Sequence, residues 1–148
     1  MESASQVNAS QEETNIRIAR LSFELWEARD FAGLIPILHE SVELIEVAAG
    51  THYIGRDGLK EMFEKWASAY PDGRIPVTNS FASGEQVTLE WNFMGTNTGE
   101  FREGRTVIPA TGKHLEYPGC SVIRVVGGKV RSIKHYWDQL TIERQLNT

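Results

Sequence analysis

A carboxylate follows two large aromatic residues near the C-terminus, in the segment His-Tyr-Trp-Asp-Gln-Leu that starts at His135. The residues up to Trp137 are typical of a β-strand, and those after Asp138 are typical of a short helix or tail. Asp138 therefore has two interpretations: it caps the segment that follows, or it is the acid/base of an enclosed pocket. In a pocket, an apolar wall of Tyr136, Trp137 and Trp91 would raise the pKa of Asp138 toward neutrality.

Other aromatic residues could line the same pocket. Trp66 and Tyr70 recur at helical spacing on one face, a pattern that marks a core stripe more often than a ligand wall. Trp91 lies on a segment in which apolar and polar residues alternate, so its side chain should face the interior. Such walls would suit a flat, conjugated substrate, because aromatic rings stack and bury large areas.

The last strand has a phase that decides which of its residues can reach the pocket. Successive strand residues point to opposite faces. If Asp138 faces inward, Tyr136 and Lys134 should do so as well, while His135 and Trp137 face the other way. A β-bulge would reverse this assignment. Both Tyr136 and His135 are therefore kept as candidate substrate-binding residues.

Composition excludes several classes of function. The chain has 148 residues, of which 41% are hydrophobic and 24% charged, as in a single globular domain. Its net charge of −5 disfavours nucleic acid or an anionic membrane surface as a partner. No apolar run approaches the roughly 20 residues that span a bilayer. The N-terminus lacks the pattern of an export signal, so we expect a cytoplasmic protein.

Metal and cofactor chemistry have little support in the sequence. The single cysteine, Cys120, permits neither an internal disulfide nor a zinc-binding cluster. The four histidines show no metal-ligand spacing, and there is no nucleophile elbow or phosphate loop. We therefore expect no cofactor and no metal, and a small hydrophobic molecule as the binding partner.

The order of elements predicts an α+β fold. Residues 1–12 are polar and predict a disordered lead-in, and residues 13–148 predict one domain. A helix from Thr14, a short second helix, a strand over 41–47 and an amphipathic helix ending at Tyr70 come first. Strands are expected near 74–83, 86–94, 105–109, 114–126 and 129–138. Helices packed in a curved, mostly antiparallel sheet would form a cone-shaped barrel with an enclosed pocket.

Five segments in the same order resemble one family. They are Ala-Tyr-Pro-Asp-Gly-Arg (69–74), Glu-Trp-Asn-Phe-Met-Gly-Thr-Asn-Thr-Gly (90–99), Pro-Ala-Thr-Gly-Lys (109–113), Gly-Gly-Lys-Val (127–130), and Tyr-Trp-Asp-Gln-Leu with Arg-Gln-Leu (136–146). Together they look like the SnoaL-like polyketide cyclases of the nuclear transport factor two-like superfamily. The resemblance covers roughly residues 14–146 and implies the cone-shaped fold and a homodimer formed through the outer sheet face.

The resemblance also implies site residues. The cyclases use an aspartate near the end of the last strand as general acid/base, and Asp138 is the matching position. Several members have histidine where this chain has Asn97. The cyclases also have a second pocket histidine, and Arg124 or Ile123 lies near its position here. The residues expected to contact substrate are Trp66, Tyr70, Trp91, Asn97, Arg124, His135 and Tyr136.

Three functions follow as hypotheses. The first is a cofactor-free cyclase, in which Asp138 shuttles a proton during the intramolecular aldol closure of a polyketide ester. The second is an epoxide hydrolase on the same fold, in which Arg124 is the middle member of an Asp-Arg-Asp relay. The third is a pocket protein that binds a small apolar ligand without catalysis, or a dimerisation module.

Overall fold

Helices precede and flank the first strands of the protein. The computed structural model describes residues 4–146, with side chains from residue 9 onward. The elements in the first half of the chain are α1 (Ala4–Glu27), α2 (Phe31–Leu34), a 3-10 turn (Ile35–Ile37), β1 (Leu38–Glu46), β2 (Thr51–Ile54) and α3 (Gly55–Ala69). As predicted, α3 is amphipathic, and it buries Leu59, Phe63, Trp66 and Ala69.

The second half of the chain is largely β-structure. It contains β3 (Val77–Ser83), β4 (Gln86–Thr96), β5 (Phe101–Glu103), β6 (Thr106–Ile108), β7 (His114–Val126), β8 (Lys129–Trp137) and the final helix α4 (Gln139–Leu146). Gly127 and Gly128 join β7 to β8 with φ angles of 58° and 77°, which two-residue hairpin turns require and which glycine adopts at little cost.

Six strands form one mixed sheet in the order β2-β1-β8-β7-β4-β3. Neighbouring strands are antiparallel except β1 and β8, which are parallel and bring the start and the end of the domain together. Strands β5 and β6 form a separate hairpin. Helices α1 and α3 pack against the inner face of the curved sheet. The predicted α+β architecture is thus confirmed.

Aromatic side chains fill the part of the interior between α3, β4 and β5. The ring centroids of Trp66 and Phe101 are 4.5 Å apart, and those of Tyr70 and Phe93 are 5.2 Å apart. Trp66 also stacks on Tyr70 with an interplanar angle of 27°. Such contacts add to the stabilisation that area burial provides, so this part of the interior is an aromatic core.

Two segments differ from the sequence prediction. Helix α1 begins at Ala4, within the lead-in predicted to be disordered over 1–12, of which residues 1–3 lie outside the described part of the chain. Two polar side chains anchor this helix to the β3–β4 turn: Glu12 accepts a hydrogen bond from Gly84 N, and Asn15 donates one to Gly84 O. Strand β5 lies in a segment interpreted as a loop, because a three-residue strand carries too short a pattern.

Candidate active site

An apolar cavity lies between the helices and the inner face of the sheet. Its volume is about 80 Å³. The side chains that line it are aliphatic or aromatic apart from Ser22, Glu46 and His135. Among the apolar lining residues Trp26, Met62, Ile75 and Trp137 are only partly buried, so the cavity reaches the surface beside them. An apolar hollow with a few polar groups is the usual form of a small-molecule site.

Glu46 is the carboxylate of this cavity. It is the last residue of β1, and it follows Val42 and Leu44 in the inward phase of that strand. Its side chain is 1% exposed, and neither carboxyl oxygen has a hydrogen-bond partner among the described residues. An unpartnered carboxylate is costly to bury in its charged form, so the group favours its neutral form.

The surroundings of Glu46 act in the same direction. Burial raises its pKa well above the ordinary value, and the nearby Glu103 raises it further. The Trp66 side chain and the Lys65 ammonium offset part of the shift, although the indole forms no hydrogen bond of ordinary geometry with either oxygen. Glu46 therefore favours its protonated form more strongly than an ordinary glutamate does, which suits it to donate a proton and to accept one back.

A second buried carboxylate, Glu103, lies behind Glu46 and is fully partnered. Tyr53 donates its hydroxyl to both Glu103 oxygens, at 2.9 and 2.7 Å, and Thr51 donates to the same group. Lys65 donates to the Tyr53 hydroxyl at 3.0 Å. Burial and the hydrogen bond to Glu103 raise the pKa of Tyr53, so the phenol stays protonated. This cluster holds Glu103 in place beside the unpartnered carboxyl group.

His135 is the second polar group of the cavity. Its Nδ1 lies 2.6 Å from Ser121 Oγ, which accepts a hydrogen bond from Trp91 Nε1 at 2.9 Å. Burial lowers the pKa of His135 to about 4, so the imidazole is neutral at pH 7. Tyr117 also lines the cavity, and burial raises the pKa of its phenol. Both rings thus face the cavity in uncharged form.

The sheet places Glu46 and His135 side by side. The two residues are partners in the parallel register of β1 and β8, and partnered residues point to the same face of a sheet. Both side chains line the cavity. The inner wall therefore presents a carboxyl group with a raised pKa next to a neutral imidazole, surrounded by hydrocarbon.

Asp138 does not lie in the cavity, which corrects the expectation that it is shielded by aromatic rings. Its side chain is exposed, and it accepts hydrogen bonds from Leu140 N at 3.0 Å and Thr141 Oγ1 at 2.9 Å. The Thr141 hydroxyl is the main cause of a lowered pKa, assisted by the backbone of the same turn. Asp138 has the geometry of a cap at the start of α4, the first of the two interpretations.

The phase of β8 explains this result. Ile133 and His135 face inward with Trp137, whereas Tyr136 is 39% exposed on the outer face. The condition under which Tyr136 would face inward, an inward-facing Asp138, is therefore not met, because the strand has the opposite phase. Asp138 comes after the last residue of β8.

The remaining candidates divide in the same way. Trp66 and Trp91 line the cavity with His135, and their contact with a substrate stays a prediction. Tyr70 is 1% exposed in the aromatic core and does not line the cavity; burial raises its pKa to about 12. Arg124 lies exposed on the outer sheet face, where its guanidinium bonds Glu85 at 3.0 Å.

Asn97 is fully buried but structural. Its amide donates to Gly99 O at 2.8 Å and accepts from both Thr111 N and Thr111 Oγ1. These bonds tie together the two ends of the segment that carries β5 and β6. Each of its polar side-chain atoms takes part in these bonds, and Asn97 does not line the cavity.

Glu46 and Glu103 were missed by the sequence analysis. The signal for Glu46 exists, because a charged residue in phase with two buried aliphatic residues of a strand is unusual. No comparable signal exists for Glu103, since the length of β5 hides its phase. Among residues 9–146 no three His, Cys, Asp or Glu side chains are grouped closely enough to hold a metal ion. Within the described chain no helix is both long and apolar enough to cross a membrane.

Helices packed in a curved mixed sheet around an apolar cavity define a cone-shaped α+β fold, which solved structures such as an NTF2-like protein from Burkholderia pseudomallei share. The family model described as SnoaL-like polyketide cyclase matches residues 16–146. The chain therefore belongs to the SnoaL-like polyketide cyclase family. Among curated proteins, none was found to match it.

Solved structures share the fold at low sequence identity. A protein from Jannaschia sp. CCS1, assigned as a SnoaL-like polyketide cyclase, superposes with a TM-score of 0.82 at 15% identity, over 93% of this chain and 94% of that one. One assigned as a polyketide cyclase from Xanthomonas campestris pv. campestris gives 0.80 at 17% identity, over 91% and 98%. TerC, co-crystallised with polyporic acid, gives 0.72 at 16% identity, over 91% and 99%.

Proposed function

We propose that this chain is a cofactor-free enzyme that closes a ring by an intramolecular aldol reaction on a small, uncharged carbonyl compound, with Glu46 as the acid/base. The observation that carries the proposal is a carboxyl group 1% exposed, without a hydrogen-bond partner, in the wall of an apolar cavity. Membership of the SnoaL-like family supports this reaction class, and the structural relative co-crystallised with polyporic acid supports a flat oxygenated ligand.

A neutral carboxylic acid can carry both proton transfers of the reaction. The enol form of the substrate attacks the second carbonyl, and a carbon–carbon bond forms. The O–H of Glu46 gives its proton to the carbonyl oxygen that becomes a hydroxyl, and the resulting carboxylate takes the proton of the enol hydroxyl. The enzyme ends in its starting state. The surrounding hydrocarbon excludes water and holds the two carbons in contact, which contributes to the rate through orientation.

The size of the cavity limits what enters it. A dry protein cavity of about 150 Å³ holds benzene, whereas the cavity here is about 80 Å³. A ring-sized substrate therefore requires the partly buried side chains at the mouth, such as Trp26 and Met62, to move outward. The reacting end of a polyketide enters first, and its remaining length stays near the mouth.

Asp138 stays the competing acid/base. Its match to the family position supports it, and its exposure weakens it, since a solvated carboxylate with a lowered pKa is a weak base at neutral pH. The epoxide hydrolase hypothesis lacks its residues, because no Asp or Arg lines the cavity. Binding without catalysis remains the alternative from another class, and the apolar lining alone would support it.

The test compares three variants in one assay. Purified Glu46→Gln, Asp138→Asn and Glu40→Gln are supplied with a polyketide methyl ester, and ring closure is followed by absorbance. Glu40 is the matched control, an exposed glutamate on the same strand. We expect Glu46→Gln to lose at least about 100-fold in kcat, the usual contribution of a general acid/base, and the other two to keep activity within about 3-fold of the wild-type value.

The other outcomes would change either the residue that carries the role or the function itself. Loss in Asp138→Asn with retention in Glu46→Gln would give the role to Asp138. No turnover by the wild-type protein, together with a thermal shift on adding hydrophobic small molecules that Glu46→Gln retains, would indicate a binding protein. Retention of activity in both variants would overturn the use of either carboxyl group.

A further inference from the structure

We propose that the hydrogen bond from Ser121 to His135 fixes His135 in the Nε2–H tautomer, so that this nitrogen donates a hydrogen bond to the oxygen of a carbonyl ligand in the cavity. Ser121 is then a positioning residue, because it acts through His135. This inference rests on the proposed function for the ligand, but the tautomer itself is independent of any catalytic activity.

Counting donors and acceptors assigns the tautomer. Ser121 is 0% exposed, and its hydroxyl has one proton to donate. The Trp91 indole can only donate, so Ser121 Oγ accepts that bond. Within residues 9–146, His135 Nδ1 is the one remaining hydrogen-bond partner of the hydroxyl, at 2.6 Å. If Nδ1 carried the proton, the buried Ser121 O–H would have no acceptor, at a cost that buried polar groups seldom bear.

The other ring nitrogen is free to act on a ligand. The imidazole is neutral near pH 7 because burial disfavours its charged form, so with Nδ1 accepting, Nε2 carries the ring proton. No described residue bonds Nε2, and His135 lines the cavity. The T-shaped contacts of its ring with Phe23 and Trp91, with centroids 6.0 and 6.4 Å apart, hold the ring plane in place.

This arrangement selects a class of ligand. The O–H of Glu46 and the N–H of His135 come from partnered positions of β1 and β8, so the inner wall presents two donors side by side. A carbonyl oxygen has two lone pairs and can accept from both. A protonated amine brings only donors and a charge that apolar surroundings penalise. The site therefore suits neutral ketones, esters and quinones and rejects amines.

Nitrogen NMR of the protein labelled with ¹⁵N-histidine tests the tautomer directly. The spectrum at pH 7 of the variant His135→Phe identifies the His135 signals by their loss. We expect wild-type Nε2 to show the shift of a protonated nitrogen and Nδ1 that of an unprotonated one. A protonated Nδ1, or a ring protonated on both nitrogens, would overturn the proposal.

Two substitutions test whether Ser121 sets the tautomer. In Ser121→Ala we expect both tautomers to appear, because Nδ1 loses its donor. In Trp91→Phe, the matched control, the Ser121 hydroxyl remains and the Nε2–H form should persist. A folded Ser121→Ala protein with an unchanged spectrum would overturn the positioning role. If this variant does not fold, the wild-type spectrum still decides the tautomer.

Ligand preference is measured with acetophenone and ethylbenzene, which differ mainly in the carbonyl oxygen. We expect wild-type protein to bind acetophenone about 3- to 10-fold more tightly, the range of one net hydrogen bond, and His135→Phe to lose this preference. Equal wild-type affinities would overturn the carbonyl recognition. The effect of changing Glu46 on turnover tests only the proposed function, because neither the NMR nor the binding experiment depends on turnover.

Discussion

Glu46 combines nearly complete burial with the lack of a hydrogen-bond partner in the described chain. Burial of an unpartnered carboxyl group makes its ionisation unfavourable, and Glu103 nearby adds a like charge to that cost. The same property that suits Glu46 for proton transfer must also appear in the pH dependence of stability, because a shift in pKa on folding couples the two.

We predict that Glu46→Gln becomes progressively more stable than the wild-type protein as the pH rises. The unfolded glutamate titrates near 4.5 and the folded one well above it, so above pH 4.5 the folded wild-type protein keeps a proton that the unfolded chain has lost. Stability then falls with rising pH by about 1.4 kcal/mol per unit until the folded group titrates. Urea unfolding of both proteins between pH 4 and 8 measures the difference.

Two comparisons make this measurement specific to Glu46: one considers the titration of His135, and the other uses the control variant Glu40→Gln. His135 acts in the opposite sense, because its folded pKa of about 4 lies below the unfolded value of 6.5, so it costs stability as the pH falls from 6.5 toward 4. That effect is common to wild-type and variant proteins and cancels in their difference. A Glu46→Gln difference as independent of pH as that of Glu40→Gln would contradict the raised pKa.

Sequence reasoning at this scale identified His135, Trp66 and Trp91 as candidates, and the structure places all three in the cavity wall. It chose Asp138 as the carboxylate of the pocket, whereas the carboxylate in the cavity wall is Glu46. Asp138 attracted attention because it follows two aromatic residues, but neighbours in a strand face opposite sides, so adjacency in sequence says little about a shared pocket. The alternation of Val42, Leu44 and Glu46 in β1 was better evidence for a carboxylate that faces the cavity.

Among the elements, α4 depends on its first residues. Asp138 bonds the backbone and the Thr141 hydroxyl at the start of this helix, and Ile142 and Leu146 bury its apolar face. Gln145 joins α4 to β7, accepting from Glu116 N at 2.8 Å and donating to Glu116 O at 2.6 Å. The C-terminal end of α4 therefore packs against β7, while the cap at Asp138 fixes its N-terminal end.

We predict that Asp138→Ala lowers the Tm by a few degrees while Asp138→Asn lowers it much less. Alanine has no side-chain acceptor for the first turn, whereas asparagine is a good N-cap residue. Thermal unfolding followed by circular dichroism makes the comparison. Equal destabilisation by both substitutions would show that the charge of Asp138, and not its capping oxygen, matters.

Elements with a regular periodicity were predicted with the bounds closest to those observed. Helix α3 and strands β4, β7 and β8 carry enough residues for their periodicity to be read, and their boundaries lie within a few residues of the prediction. The phase of β8 could not be read, because its partly polar sequence, Lys-Val-Arg-Ser-Ile-Lys-His-Tyr-Trp, lacks a regular alternation at the C-terminal end. That phase decided which residues reach the cavity.

For the whole molecule, the outer sheet face is the feature still without an assigned role. It bears a shallow depression lined by Glu43, Ile45, Val122, Arg124 and Lys134, among others. The face carries charges of both signs around partly buried aliphatic residues, a composition that a symmetric interface can satisfy. The order of elements was enough to predict the fold class. The association of two chains, by contrast, was predicted only from the resemblance to the family.

We predict a homodimer that forms through this face. Light scattering on the purified wild-type protein should give twice the chain mass of 16.7 kDa. Val122→Lys places an additional charge in the depression and should give the monomer mass, since like charges would face each other across a two-fold axis. A matched change on an exposed helix position, Glu64→Lys, should leave the dimer intact. A monomeric wild-type protein would contradict the prediction.

The parallel pairing of β1 and β8 has a consequence for the growing chain. Glu46 is synthesised well before His135, so the pairing that places the two side chains in one wall can form only after β8 has been made. Until then the hydrocarbon wall beside β1 lacks its neighbouring strand, and unpaired strand edges beside exposed apolar surface favour aggregation.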